Sequence, residues 1–352
     1  IDSTQWMWNI GTERDWGFKA QPSATVNGRT PLLPMGKVLG GGSSINGSVW
    51  ARGHKNDFDG WAEAAGDPAW NYEAALAIYR RVEKWNGPRD DHRRGTAGML
   101  NILQPEDPIP LVAGLIEGAE AIGIPYVDDM NGAAMEGDGG CGLPNVLVQD
   151  GNQRVSMAAT YLHPMMGAPN LHILVCAEVA GLTFDGNRAT GVSFVRRGRT
   201  YTVAAGREVI LSLGAINTPK MLMLSGIGDE AQLKRHGIPV RQHLPGVGRS
   251  FQDHILLAGC CWEYVTPEPP RNNAAEFVFI TRSDPSLRTP DLMPVLEETP
   301  FGSEVTAAQY DLPVGPASAW TLAPGLAQPD SRGEVVLASA DWRDAPLIHA
   351  NF

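Results

Sequence analysis

The chain has 352 residues, 43% of them hydrophobic and 19% charged, with a net charge of -11. That size suits roughly two domains with a substantial core. The acidic balance argues against nucleic acid or an anionic membrane surface as the main partner, and no uninterrupted apolar run reaches the roughly 18 residues of a membrane span.

Both ends read as cut. The first residues, Ile1-Asp2-Ser3-Thr4-Gln5-Trp6, carry no methionine, no charged n-region and no apolar h-region. The last, Leu347 to Phe352, stop where a strand or turn should continue. Cys141, Cys176, Cys260 and Cys261 show no metal-ligand spacing. Scattered reduced thiols point to the cytoplasm. Trp6, Trp8, Trp16 and Phe18 read as packing residues, and Pro31 and Pro34 then carry the chain onward in extended form.

They lead to Gly36-Lys37-Val38-Leu39-Gly40-Gly41-Gly42-Ser43-Ser44-Ile45-Asn46-Gly47. Glycine allows a positive φ and a close approach of backbone to ligand. Successive N–H groups in such a turn form a concavity for anions. Ser43, Ser44 and Asn46 add short donors and acceptors. We read a loop that wraps a large flat cofactor carrying phosphates.

Beyond it, Asn56 or Asp57 is expected to cap a short helix running to Ala65, with His54 a hydrogen-bonded structural residue. Asn71 caps a second helix, whose Ala74, Ala75, Ile78, Tyr79 and Val82 recur at helical spacing and define its buried face. The charged run Pro88 to Gly98 reads as a solvated loop, a third helix runs from Pro110 to Ile122, and residues 128–152 form a long loop. Residues 171–176, 179–184, 189–196 and 199–204 are β-prone and separated by turn signals, hence a meander. The apolar run 208–213 is expected as a strand buried on both faces. Gly214-Ala215 ends it, Thr218 and Pro219 open a helix, and Gly226 stops that helix. Such a joint sets backbone amides where nucleotides bind. Gly237 to Val240 reads as a further strand, Gly246-x-Gly248 as a second glycine turn, and residues 256–352 as strands alternating with proline-rich loops.

Three segments together resemble the glucose–methanol–choline family of flavin oxidoreductases: residues 36–47 with Arg52-Gly53-His54 and 57–61, residues 214–228, and Leu244-Pro245-Gly246-Val247-Gly248 through Gln252-Asp253-His254. Pro329-Asp330-Ser331-Arg332-Gly333 also fits the family's substrate-domain sheet. The resemblance implies an α/β fold: a partial, Rossmann-like FAD-binding domain at residues 1–70 and 156–256, and a partial substrate-binding domain at 71–155 and 257–352 built on an antiparallel sheet backed by helices. It implies FAD held by Gly36, Val38, Gly41, Gly42, Ser43, Asn46, Gly47, Ser48 and Val49 on the flavin side, with Val179, Gly214 and Ala215 toward the adenosine and pyrophosphate. Ile45 stands where some members tether flavin through histidine, which implies non-covalent FAD. Met35 replaces the family's usual arginine, and Ser250-Phe251 its asparagine–leucine pair.

Two family features are missing from these residues. No GxGxxG turn precedes Gly36, and the catalytic histidine with its histidine or asparagine partner would lie beyond Phe352. His254 and His349 are poor substitutes for that base. The resemblance implies a protein that oxidises a small alcohol, choline dehydrogenase-like, with oxygen or an electron carrier as acceptor. A family hydroxynitrile lyase and a non-catalytic fragment that has lost its cofactor are the alternatives. The 352 residues alone are expected neither to hold FAD tightly nor to turn over.

Overall fold

The computed structural model describes residues 2–150, 152–311 and 318–352. They divide into two units: Ile1–Gly17, Pro34–Met166 and His254–Pro329 form the first, and Phe18–Leu33, Gly167–Asp253 and Asp330–Phe352 the second. No helix among the described residues is long and apolar enough to cross a membrane.

The first unit is built on a five-stranded antiparallel sheet in the order Cys261–Glu263, Ala319–Ala323, Val295–Glu297, Val278–Ile280, Gly140–Gly142. Its last strand comes from the stretch 128–152, which is therefore not a plain loop. Helices α1 (Lys55–Ala65), α2 (Tyr72–Val82) and α3 (Leu111–Ala121) belong to this unit. α3 turns Val112 and Ala119 onto Cys141, Phe277 and Leu296 of the sheet. Burying Phe277 and Leu296 contributes roughly 1.5–3 kcal/mol each.

His54, rather than Asn56 or Asp57, caps α1. Its Nδ1 accepts from the Asn56 N–H at 3.1 Å, Asp57 accepts from the His54 N–H at 2.9 Å, and its Nε2 pairs with the Gly137 carbonyl at 2.9 Å. A histidine so engaged is structural. Asn71 caps α2 by accepting from the Ala74 N–H. The buried face of α2 is centred on Tyr72 and Leu76 with Ala75 and Tyr79 packed beside them and Val82 on the neighbouring cluster; of the expected stripe only Ile78 is exposed.

The run 88–98 is only partly solvated. Arg94 is buried, lies 3.8 Å over the Trp85 ring, and reaches Glu83 at 3.3 Å. Its Nε is 3.3 Å from Asp129 Oδ2 in an ion pair whose angle falls short of a hydrogen bond. Glu83 also receives Arg52 and the Gly95 N–H, and Asn145 joins Arg94 to Asn131. Burial lowers the Arg94 pKa to about 10 against the pull of Asp129 and Glu83. The network ties residues 52, 83, 94 and 129 together by charge rather than by apolar packing.

In the second unit, Glu178–Asp185, Arg188–Arg196 and Arg199–Ala204 form the antiparallel meander. Residues 171–176 add no strand to it. Helix α4 (Gly214–Leu224) lies against the first meander strand and against Gly333–Val336. The latter pairs on its two sides with Arg249–Phe251 and Leu347–His349. Met223, Leu233, Ile238 and Leu337 make the local core.

Three expectations fail here. Residues 208–213 form no strand, and Ile210 is 78% exposed. A strand covered on both faces needs neighbours to pair with and layers to bury it, and the described residues provide neither. Residues 237–240 are likewise unpaired; Ile227–Gly228 pairs instead with Gln242–His243. Pro219 sits inside α4, which begins at Gly214; Thr218 Oγ1 accepts from the Leu213 N–H instead of capping a later start.

Replacing Arg94 by methionine strands the Asp129 charge and half of the Glu83 partnership in the interior. The expected loss is about 3–5 kcal/mol of unfolding free energy in urea titration. The exposed Arg89–Asp91 pair is the control: Arg89→Ala should leave the urea midpoint close to that of the wild type. Equal effects would contradict the structural role given to the network.

Candidate active site

The glycine stretch is entered from a fixed point. Asp15 accepts from the N–H groups of Gly11, Gly17 and Met35 at 2.9–3.0 Å. Burial raises the Asp15 pKa, but these donors together with Trp16 bring it below the ordinary carboxylate value. Met35 is thus placed through its backbone.

Gly36 and Gly40 are glycines for internal reasons. A Cβ at Gly36 would lie 2.2 Å from the Gly41 carbonyl oxygen, and one at Gly40, where φ is +87°, would lie 2.5 Å from Ser44 Oγ. Gly41 has a φ of +55°, which itself favours glycine; Gly42 differs, with no positive φ and no atom beyond its own turn within 4 Å of an added Cβ. Gly41–Ser44 forms one 3-10 turn. Ser43 and Ser44 spend their hydroxyls inside it, donating to the carbonyls of Gly40 (2.6 Å) and Leu39 (2.7 Å). Ser44, Ile45 and Ser48 are buried, whereas Gly42, Asn46 and Val49 are exposed. The loop therefore has an anchored face and an open face.

The anchors come from several segments of the same unit. Met157 donates its N–H to Ser43 Oγ at 3.0 Å, and Arg154 donates to the carbonyls of Ser43 and Asn46 and to Asn46 Oδ1. Asn46 Oδ1 also accepts from the Ser48 N–H at 3.1 Å, closing a tight turn in which Ser48 has φ +59°. Ser48 pairs with Ser3, and its carbonyl accepts from the Leu147 N–H at 2.8 Å. Asn273 donates to the Gly47 carbonyl at 2.8 Å.

Asn273 leads to a carboxylate cluster. Glu276 accepts from the Ile109 N–H at 2.8 Å and from Asn272. Glu298 accepts from the Arg271 N–H at 2.8 Å. The Arg271 guanidinium is directed to Asp107 and Glu268, so it does not neutralise the pair. Glu297 Oε2, Glu298 Oε1 and the Tyr264 hydroxyl are buried without hydrogen-bond partners. Burial, reinforced by Glu276, raises the Glu298 pKa; burial alone raises that of Glu297 to about 8. Burial and then Glu298, Glu268 and Glu276 push Tyr264 to about 12.

Gly36, Val38, Gly41, Gly42, Ser43, Asn46, Gly47, Ser48 and Val49 all fall in the first unit, and Val179, Gly214 and Ala215 in the second. Gly214 has φ +82° and opens α4, whose first turn carries no side-chain cap. Ala215, Thr218, Leu222, Gly248, Ser250 and Val335 line a cavity of about 480 Å³ there. Val179 pairs opposite Phe194 in the meander. Sequence reasoning missed Arg154, Asn273, Glu276, Glu297, Glu298 and Tyr264. Glu276 and Glu297 each sit in a strand-like apolar run, and that is a readable signal of a buried carboxylate.

A family profile described as GMC oxidoreductase matches residues 19–256. An oxygen-dependent choline dehydrogenase of Sinorhizobium medicae is 34% identical over 98% of this chain and 65% of its own length. The one from Brucella anthropi is 36% identical over 96% of the chain and 63% of its own. The chain thus spans somewhat under two thirds of these curated relatives. Among solved structures, pyridoxine 4-oxidase from Mesorbium loti superposes with a TM-score of 0.90 at 28% identity, covering 100% of this chain and 68% of that one. Formate oxidase follows at 0.84 and 24% over 100% and 69%, a likeness of fold.

Glu297 makes a pH signature. Its folded pKa is raised, so the folded state binds the proton more tightly than the unfolded chain does. The associated stability is present below the unfolded value near 4.5 and is lost as pH rises through about 8. Unfolding free energy should fall between those limits, and Glu297→Gln should flatten the profile and stabilise the protein at pH 8. A profile unchanged by the substitution would refute the assignment.

Proposed function

The chain belongs to the GMC oxidoreductase family, and on that footing we propose that it serves to oxidise a small primary or secondary alcohol with non-covalently held FAD, oxygen or an electron carrier regenerating the cofactor. One observation carries the reading. Of the glycines in the turn, Gly36 and Gly40 are required by the protein's own crowding and Gly41 by its φ of +55°, while a Cβ at Gly42 would face space that no atom beyond its own turn fills. A flat ring seated there would meet Gly42, Asn46 and Val49, the exposed residues of an otherwise anchored loop. Bound FAD would supply the two-electron acceptor for the alcohol's hydride. The chain's own share is to seat and orient that ring. The uncapped first turn of α4 and the cavity beside it suit the phosphate-bearing end. Ile45 is buried, in keeping with a cofactor that is not tethered through that position. On this reading residues 1–70 and 156–256 serve the cofactor and residues 71–155 and 257–352 the substrate. The four free cysteines favour a cytoplasmic setting.

We extend the proposal to a cationic alcohol of the choline type. Two relatives are named oxygen-dependent choline dehydrogenases. Glu276 lies on the segment that holds the Gly47 carbonyl through Asn273, and Glu298 accepts from the Arg271 N–H of that same segment. Burial, reinforced by Glu276, favours the protonated form of Glu298, and an arriving cation would reverse that preference and draw it into ionisation. The Tyr264 ring adds an aromatic face to the same cluster.

Protein expressed from the complete gene should purify with a flavin absorbance band and reduce an electron-accepting dye when given choline. Its uncharged carbon isostere should show a KM roughly tenfold higher, and Glu276→Gln should raise the choline KM with little change in kcat. A colourless protein that takes up no FAD would sink the cofactor reading. Equal KM values for choline and the isostere would sink the cationic one alone.

A further inference from the structure

Arg52, Arg94 and Arg154 are the buried arginines among the described residues. Arg52 and Arg94 meet carboxylates, Glu83 and Asp129. Arg154 is 6% exposed, and desolvation is the sole influence on its charge, with no acidic neighbour offsetting it; its pKa falls to about 10. Nη1 donates to the Ser43 carbonyl at 3.2 Å and to Asn46 Oδ1 at 2.8 Å, and Nη2 donates to the Asn46 carbonyl. Nε is buried with no partner.

Every acceptor of this guanidinium thus lies on one short turn. A buried cation without a counter-charge is costly, and an apolar side chain of similar volume would pack there without that cost. Stability alone does not explain an arginine at this position. Its effect on the turn is definite. Drawing the Asn46 carbonyl toward Arg154 sends the next N–H, that of Gly47, the opposite way across a trans peptide. A carbonyl hydrogen-bonded to a cation also polarises its peptide and strengthens that N–H as a donor. In a dry interior the charge is felt across the width of a turn.

We propose that Arg154 is a positioning residue of the reaction: it fixes the turn at residues 43–48 by its inward-facing carbonyls, and its unneutralised charge makes the open face favour a ligand that gains negative charge. The inference rests on the reading of that turn as the flavin seat. Two-electron reduction adds negative charge to the flavin ring, so Arg154 raises the tendency of the bound ring to accept electrons.

The test uses protein expressed from the complete gene with FAD as the probe, and compares Arg154→Met, Arg154→Gln as a second neutral variant should the first fail to fold, and Arg154→Lys. Flavin affinity, the midpoint potential of the bound flavin, and amide hydrogen exchange over residues 40–48 of the flavin-free protein are measured. The neutral variants should bind FAD at least about tenfold more weakly, shift the midpoint to more negative values and exchange faster across the turn. Arg154→Lys should restore the potential while recovering only part of the affinity. An unchanged potential in the neutral variants overturns the electrostatic role even if affinity drops, because a purely structural contact would move affinity alone. Unchanged exchange overturns the positioning role. If wild-type protein takes up no FAD, the flavin reading itself fails and takes the electrostatic role with it, while the exchange comparison still decides the positioning role.

Discussion

A single guanidinium, brought into the interior without a carboxylate to meet it, sets the geometry on which the candidate site depends. Arg154 takes the carbonyls of Ser43 and Asn46, Asn46 in turn takes the Ser48 N–H, and Asn273 takes the Gly47 carbonyl. Arg154 and Asn273 thus take carbonyls of the turn, and each planar trans peptide sends its own N–H the opposite way. The open face at Gly42, Asn46 and Val49 follows from the way the buried face is tied down.

The first unit uses buried charge in two different ways. Around Glu83 the charges are matched, Glu83 and Asp129 against Arg52 and Arg94, though Arg52 Nε, Arg94 Nε and Asn145 Nδ2 still lack hydrogen-bond partners. Around Asn273 they are not. Glu297 and Glu298 keep an oxygen without a partner, and the Tyr264 hydroxyl does the same. Desolvation of this kind opposes folding. Buried acids with unpaired oxygens and a buried guanidinium with no counter-charge are the pattern of a site shaped for something besides its own stability.

Much of this was legible where the signal is local. Asn71 caps its helix because a short side chain reaches back to the Ala74 N–H, whatever surrounds it. The meander was readable because Gly186-Asn187 and Arg197-Gly198 are two-residue turns, the latter with both φ angles positive. The glycine stretch was readable as a close approach, though only coordinates separate the glycines crowded by protein from those that are open. Arg94 read as solvated because its partners Asp129 and Asn145 are far away in sequence. Arg154 gave no signal at all: its acceptors lie about a hundred residues earlier, and nothing in Gln153-Arg154-Val155 marks it as buried.

The apolar run at 208–213 shows where local reading stops and why that matters for the site. Hydrophobicity says that such a segment should be covered; it does not say by what. A hairpin strand carries its partner a few residues away, whereas a strand buried on both faces depends on pairing with segments remote in sequence. Among the described residues this run has no paired neighbour, and Ile210 remains exposed. α4 begins immediately after it, so the bearing of the Gly214 and Ala215 amides depends on how that run is held. The two segments assigned to the cofactor therefore rest, each in its own unit, on unequal foundations. The turn at residues 36–49 is fixed by hydrogen bonds within its own unit, and its shape follows from the residues present. The α4 joint has the composition of a nucleotide site, but its aim depends on the run 208–213, which forms no strand.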